Sequence, residues 1–444
     1  MISDPLTLTV LLFVILFTFL LSGLWIGFSL FSTGITLMLL YNFNLPPAIF
    51  IWNKIGGLMA NSIWNSTDSW SLASLSLFIL MGELLYETDL SSKLFNGLVP
   101  WLTKVPGRLL HINVIACSMF AAVSGSSAAT TATIGKITLN ELSKRGYDRG
   151  LSVGSLAGAG TLGFLIPPSI IMIIYGVLSN TSIGKLFAAG ILPGLMLGGF
   201  YSTYIAIYSL INPATVPKET TKQSLKEKLI ASAGIIPVFA LIVIVLGSIY
   251  LGFATPTEAA ALGVVGSLIT ALLFKSLTFA TLKNAFMSSV KTTAMIVFIV
   301  TGAAFLSQVV GFVGIARALS LFVAELGLSK YMLLVVIGIM YMLMGMVLDG
   351  ISMVVMTLPI ILPIMVSAGF SPLWFGIFLV IMVELAQITP PVGFSLFVIQ
   401  GISNETTGNI IKYSFPFFLI MILSIVILTL FPEIIYYLPN QMIH

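Results

Sequence analysis

Long apolar runs separated by short polar breaks dominate the chain. An apolar run of about 17–25 residues crosses a ~30 Å hydrocarbon core as a helix. On that template the pattern predicts spans near 6–22, 24–42, 71–88, 151–178, 185–211, 229–252, 257–275, 291–311, 371–402 and 413–436. Two regions depart from it. Residues 111–123 and 128–140 are apolar arms too short to cross, joined at Ser124-Gly125-Ser126-Ser127, and they predict a re-entrant hairpin with its tip inside the membrane. Residues 331–348 and 350–366 turn at Asp349-Gly350 and are long enough for either a second hairpin or two full spans. Residues 43–70 carry Trp52, Trp64 and Trp70 near Lys54 and Asp68, the pattern of an interfacial helix on the outer surface.

An internal repeat resolves the ambiguous region as a hairpin. Residues 118–168 align with 341–391 without a gap at an offset of 223. Gly146-Tyr147 falls on Gly369-Phe370, Ser126 on Asp349, and Pro167-Pro168 on Pro390-Pro391. Beyond one inserted residue, Ser179-Asn180 and Gly184 match Ser403-Asn404 and Gly408. Lys104, Arg108, Lys144, Arg145 and Arg149 flank the first hairpin, whereas the second has Lys330 on one side and no basic residue over 366–372. Because basic residues stay cytoplasmic, the first hairpin is expected to enter from the cytoplasm and the second from outside, as in inverted repeats. The same count returns the polar linker 212–228, with Lys218, Lys222, Lys226 and Lys228, to the cytoplasm and leaves both termini outside. The predicted organisation is a first repeat over 1–211 (hairpin 111–140, broken helix 151–178), the linker, and a second repeat over 229–444 (hairpin 331–366, broken helix 371–402).

Composition narrows the function. Of 444 residues, 58% are apolar and 8% charged, against about 25% charged in soluble domains, and the mean hydropathy is +1.12. That excludes a soluble enzyme and describes an all-α polytopic protein in a lipid bilayer. The net charge of +4 resides in short clusters between apolar runs, so it marks membrane orientation rather than nucleic-acid binding. One cysteine, Cys117, and two histidines, His111 and His444, supply no disulfide framework, zinc site or Cys/His dyad. The first apolar run has no basic residue before it and reads as a span, not a cleaved signal.

Chemistry concentrates at the hairpin tips and at two proline breaks. Leu165-Ile166-Pro167-Pro168 and Ile388-Thr389-Pro390-Pro391 remove helix hydrogen bonds in mid-membrane and free carbonyls that only a protein- or water-lined cavity tolerates. Two tips meeting two breaks is the arrangement of a secondary transporter, where half-helix N-termini face an anion and unwound carbonyls hold Na⁺. The tip 124–130 offers hydroxyls, small residues and backbone N–H groups; the same residues would also make a small-residue packing seam. Asp349 is a carboxylate at depth, retained either for ions or substrate or as the cap of the following helix. Glu384 either serves the site or pairs with a buried polar neighbour, and Gly158, Gly160 and Gly163 serve close helix approach or ion access. Thr255-Pro256-Thr257-Glu258 predicts a helix start with a capping box.

At SGSSAATTATIG (124–135), KRGYD (144–148), LGFLIPPSIIMIIYG (162–176), ATPTEAAALG (254–263) and ITPPVGFSLF (388–397), the chain resembles the large membrane subunit of TRAP (tripartite ATP-independent periplasmic) transporters, DctM type. The resemblance spans nearly the whole chain. It implies an elevator-type, sodium-coupled transporter in the bacterial inner membrane, with a small four-helix membrane subunit and a periplasmic binding protein that delivers an organic acid. It places Na⁺ at Ser124, Ser126, Thr130 and Gly158 in the first half and at Asp349, Gly350 and Thr389 in the second. The substrate lies between the tips, near Ser126, Ser127, Pro168, Asp349, Gly350 and Pro391. Sugar-acid carriers of this type have an aspartate where this chain has Thr130, which tilts the expectation toward a small dicarboxylate. No fused small subunit precedes the first span, so a separate partner polypeptide is implied.

Two rivals remain. One is a stand-alone ion-coupled anion symporter needing no binding protein. The other is an intramembrane hydrolase, for which Lys136 is the one base near the serines of the tip.

Overall fold

A computed structural model describes residues 5–41, 48–88, 90–217, 224–390 and 393–442. All regular structure among them is helical. Large apolar side chains such as Phe279, Phe253 and Leu21 stand more than three-quarters exposed, a costly surface in water and the expected one where the solvent is lipid. Five helices are long and apolar enough to cross a membrane, or seven if two bent pairs each count as one span.

The first hairpin is built from His111–Ser124 and Ser127–Lys144, close to the predicted arms. In the second hairpin the arms are Lys330–Met344 and Gly350–Ser367. Its first arm stops four residues earlier than predicted and, at 15 residues, reaches about 22 Å; the second arm, Gly350–Ser367, is one of the five helices long and apolar enough to cross. Each predicted broken span is two helices: Arg149–Thr161 and Ile170–Ser179 in the first half, Pro372–Gln387 and Phe394–Ser403 in the second.

Helix boundaries recur along the chain. Ser127–Lys144 maps onto Gly350–Ser367 at the offset of 223, and Ile170–Ser179 maps onto Phe394–Ser403 at 224. The caps recur as well. The side chains of Ser126 and Asp349 both accept from amides of the helices they start, as do those of Asp148 and Ser371. Gly146 and Gly369 take positive φ (78° and 87°) after the hairpins, a conformation that suits a residue without a Cβ. Asn180 and Asn404 close the half-helices in the left-handed region (φ 54° and 58°).

The broken spans run antiparallel to each other. Arg149, which starts the first, donates to the Ser403 carbonyl and to Glu405 (3.2 Å) at the end of the second. At the opposite end the Tyr175 hydroxyl donates to the Pro372 carbonyl at 2.5 Å. Packing is also exchanged between the halves, with Ser127–Lys144 lying on Phe394–Ser403 and Gly350–Ser367 lying on Ile170–Ser179.

Around this unit, the helix Phe279–Val313 packs on Ile26–Tyr41 and on Trp70–Tyr86, which in turn packs on Pro256–Leu273. Phe298 and Phe305 cover Gly27 and Gly34 so closely that a Cβ at either glycine would collide with the ring, a close approach typical of membrane helices. The predicted capping box forms: Glu258 N donates to Thr255 Oγ1 (3.3 Å) and Thr255 N to the Glu258 carboxylate (2.8 Å).

Three readings need adjustment. The span predicted at 291–311 is the core of a 35-residue helix that begins at Phe279. Within the linker 212–228 a capping box at Ser224 starts the helix Leu225–Ser232; Lys218 and Lys222 lie outside the described residues. The tryptophan-rich segment contains the helix Ala48–Thr67, bent by 52° into the next, a pair that could also form one broken span, with Trp64 and Trp70 about 70% exposed. Two amphipathic helices, Leu90–Leu102 and Ile315–Glu325, escape a search for apolar runs because half of each faces away from the core.

Candidate functional site

Both hairpin tips close on the proline breaks. At the first tip, Ser124 ends one arm, Gly125 turns in the left-handed region (φ 61°), and Ser126 caps the other arm, accepting from Ala129 N at 3.4 Å. The Gly125 carbonyl accepts from Ile170 N (3.4 Å) just past the first break. A Cβ at Gly125 would lie 3.0 Å from the Pro168 carbonyl; the Pro167–Pro168 peptide bond is cis. Ser127 is fully buried and donates to the Thr161 carbonyl (2.9 Å) at the edge of the break.

Oxygen atoms crowd this tip. Ser124 Oγ and Thr130 Oγ1 are 3.0 Å apart, and Thr130 Oγ1 also donates to the Ser126 carbonyl at 2.7 Å. The next hydroxyl, Thr131 Oγ1, is buried with no hydrogen-bond partner and faces Gly160. An orphaned hydroxyl beside an all-oxygen cluster fits a hard cation such as Na⁺. Gly158 is placed differently. Its open side faces Phe417 of the last long helix, and its carbonyl accepts from Thr161 Oγ1 at 2.8 Å. The glycine that meets the tip is Gly163, where a Cβ would stand 2.6 Å from Ser127 N.

Asp349 Oδ2 accepts from Ile351 N (3.1 Å) and Ser352 N (3.4 Å), and the Ser352 hydroxyl donates to Oδ1, so the carboxylate caps its own arm. Gly350 is buried where a Cβ would meet Val383, the Gln387 amide and the ring of Phe164. Phe164 belongs to the break of the other half, so the second tip, the second broken span and the first break come together at Gly350. Thr389 is nearly buried, with its hydroxyl donating to the Leu385 carbonyl at 2.8 Å. Pro391 lies outside the described residues.

The run-length reading of the sequence overlooks Gln387. It is buried, and its Oε1 accepts from Ser395 Oγ at 2.9 Å, which ties the two halves of the second broken span across their gap. An amide in an apolar stretch two residues before Thr389 is the signal that marks it.

Four helices begin at this junction: Ser127–Lys144, Ile170–Ser179, Gly350–Ser367 and Phe394–Ser403. Each has the positive end of its dipole at the junction, together with those first-turn amides its cap leaves free. The tips and breaks contain no lysine or arginine, so these helix ends, with the hydroxyls, form the positive side of any anion site here.

Two adjoining cavities of about 360 and 410 Å³ share Ser69, Val177 and Asn180. The first lies between Phe279–Val313, the Gly350–Ser367 arm and the end of the first broken span, the second between that same end, the start of Trp70–Tyr86 and Thr255–Thr257, and no charged side chain lines either. A Ser/Lys catalytic pair is not formed. Lys136 is exposed and nine residues beyond Ser127 on the same helix, about 13 Å along its axis.

The model of the family "Tripartite ATP-independent periplasmic transporter, DctM component" matches residues 13–434. The C4-dicarboxylate TRAP transporter large permease protein DctM of Pseudomonas aeruginosa is 33% identical over 86% of this chain and 89% of its own length. The 2,3-diketo-L-gulonate TRAP transporter large permease protein YiaN of Escherichia coli is 30% identical over 85% and 88%. Among solved structures, the YdaH transporter of Alcanivorax borkumensis shares the fold with a TM-score of 0.61 over 88% of this chain and 89% of that one, at 12% identity.

Proposed function

Because the chain belongs to the DctM component family of tripartite ATP-independent periplasmic transporters, a family of permease subunits rather than enzymes, we propose that it imports an organic acid through the bacterial inner membrane, driven by sodium. The acid is a small dicarboxylate or related carboxylate, handed over by a periplasmic binding protein, and a separate small four-helix subunit completes the membrane complex. In this reading the two halves are inverted repeats with both termini periplasmic. The hairpins and broken spans move as one body against the scaffold formed around Phe279–Val313.

The observation that carries the reading is the charge balance of the junction. Helix N-termini point at a centre that holds Asp349 but no basic side chain. A carboxylate substrate entering there adds negative charge at low dielectric, and cations bound with it offset that cost. Inward movement of a divalent acid against an interior-negative potential also costs about 2.3 kcal/mol per charge per 100 mV, which several sodium ions per cycle would offset. The oxygen cluster Ser124–Ser126–Thr130 and the Asp349–Gly350–Thr389 group are the proposed holders of those ions, with the acid between Ser126, Ser127 and Pro168 on one side and Asp349, Gly350 and Pro391 on the other.

The test is the melting temperature of the purified chain in Na⁺ against K⁺ at matched ionic strength, with Ser126→Ala and Asp349→Asn alongside. Sodium at one hundred times its Kd stabilises the folded state by about 2.7 kcal/mol, and both variants are expected to lose part of that shift. Asparagine caps a helix as well as aspartate does, so Asp349→Asn should keep its stability in K⁺ and lose only the sodium response. Identical curves for the native chain in the two salts would remove sodium from the proposal.

A further inference from the structure

Glu384 is fully buried, and neither carboxylate oxygen has a hydrogen-bond partner. Every residue from Trp374 to Gln387 is buried around it. The sodium sites proposed above do not use this residue. Its carboxyl faces the break of the other half, close enough to the amides of Phe164 and Leu165 to interact with them but outside hydrogen-bond geometry. Those amides already donate to the carbonyls of Thr161 and Leu162 in the tight turns of the break.

No cation balances this carboxyl among the described residues. Of the elements packed on its helix, Ile183–Ile211 presents Tyr201, whose hydroxyl is buried beside Thr161 without meeting hydrogen-bond geometry. The other titratable groups nearby are engaged elsewhere: Tyr175 with the Pro372 carbonyl, Tyr341 with Thr357, Asp349 with Ser352, and Arg149 with Ser403 and Glu405. Lys185, Lys330, Lys412 and Glu433 stand within two turns of a helix start. The hairpin backbone closes on both sides, since a side chain on Gly345 would collide with Ala386 and one on Gly350 with Val383.

An isolated carboxylate in such a place needs a neutralising partner, and close packing leaves room for the smallest one. We propose that Glu384 is a proton-binding site of the transport core, loaded when the two broken spans are packed as they are here, and separate from the ions at the hairpin tips. The neutral acid sits against the first break without charge. Loss of the proton places a negative charge between the halves and opposes this packing, so the proton is a ligand of one arrangement of the core.

Infrared spectra of the full chain in lipid nanodiscs, recorded without sodium, test this directly. At neutral pH the native chain should show the C=O stretch of a neutral, weakly hydrogen-bonded carboxylic acid. Glu384→Gln should lose that band, and Glu384→Asp should keep it at a displaced frequency. The native melting temperature should fall as pH rises toward the point where the band disappears, while that of Glu384→Gln stays level over the same range. Absence of the band from the native chain at neutral pH overturns the proposal however the variants fold. So does a band that survives unchanged in Glu384→Gln. Because sodium is absent throughout, the outcome does not depend on the sodium reading.

Discussion

Gly163 shows how a single atom decides the site. A methyl group there would lie 2.6–2.7 Å from backbone atoms of Ser126 and Ser127, and backbone yields less readily than a side chain. Gly163→Ala should therefore lower the melting temperature, with overpacking of this kind costing about 1–3 kcal/mol, and should weaken any sodium response by displacing the first tip. Gly247 is the control: nothing lies within 4 Å of its Cβ position, and alanine in a helix interior is neutral or slightly stabilising. Thermal melts of the two variants in detergent measure the contrast, and equal behaviour would show that the tip does not depend on this contact. The importance of Gly163 over Gly158 is not readable from the chain. Both are glycines near the same break, but Gly158 lies in the helix Arg149–Thr161 and faces Phe417, whereas Gly163 lies in the turns beyond its end and faces Ser127.

At the scale of elements, the ends of the broken spans are fastened across the halves. Glu405 follows the half-helix Phe394–Ser403, and hydrogen bonds from the Asn409 amide and the Arg149 guanidinium hold its carboxyl below the usual range. A carboxyl lowered by folding adds stability that is present above the ordinary glutamate range, near pH ~4.3, and is lost as pH falls through the folded value. Glu405→Gln should therefore melt lower than the native chain at neutral pH, and the gap should close on acidification below pH ~4. A gap that persists in acid would mean that the loss is one of packing rather than charge. Run length and breakers made the first hairpin legible beforehand, since apolar arms of about 13 residues are too short to cross, and the repeat at an offset of 223 extended the reading to the second. The helices Leu90–Leu102 and Ile315–Glu325 were not legible, because their apolar residues are interleaved with polar ones and form no run.

For the whole molecule, the two uncharged cavities between scaffold and core should be reachable from a single face. Asn180 and Ser307 line them, and the neighbouring Gly184 approaches Met442 near the C-terminus, 3.6 Å from its Cβ position. Cysteines introduced at Asn180 and Ser307 are expected to react with a membrane-impermeant maleimide applied from the periplasmic side, the side that also exposes a C-terminal tag. The native Cys117 is fully buried and should stay silent. Labelling only from the cytoplasmic side would reverse the topology assigned from the lysine and arginine distribution.

The sequence by itself determined that the chain is a polytopic membrane protein and where its helices turn and break. These are matters of local composition: run length, prolines, caps and charge at the mouths act over a few residues. Only the tertiary structure decided which groups meet. It turned Asp349 onto its own helix, aimed Gly163 rather than Gly158 at the first tip, and set Glu384 against the break of the opposite half with no partner. The contacts of Gly158 with Phe417 and of Glu384 with the first break join residues more than 200 positions apart, and they follow from how the helices pack, which no local pattern encodes.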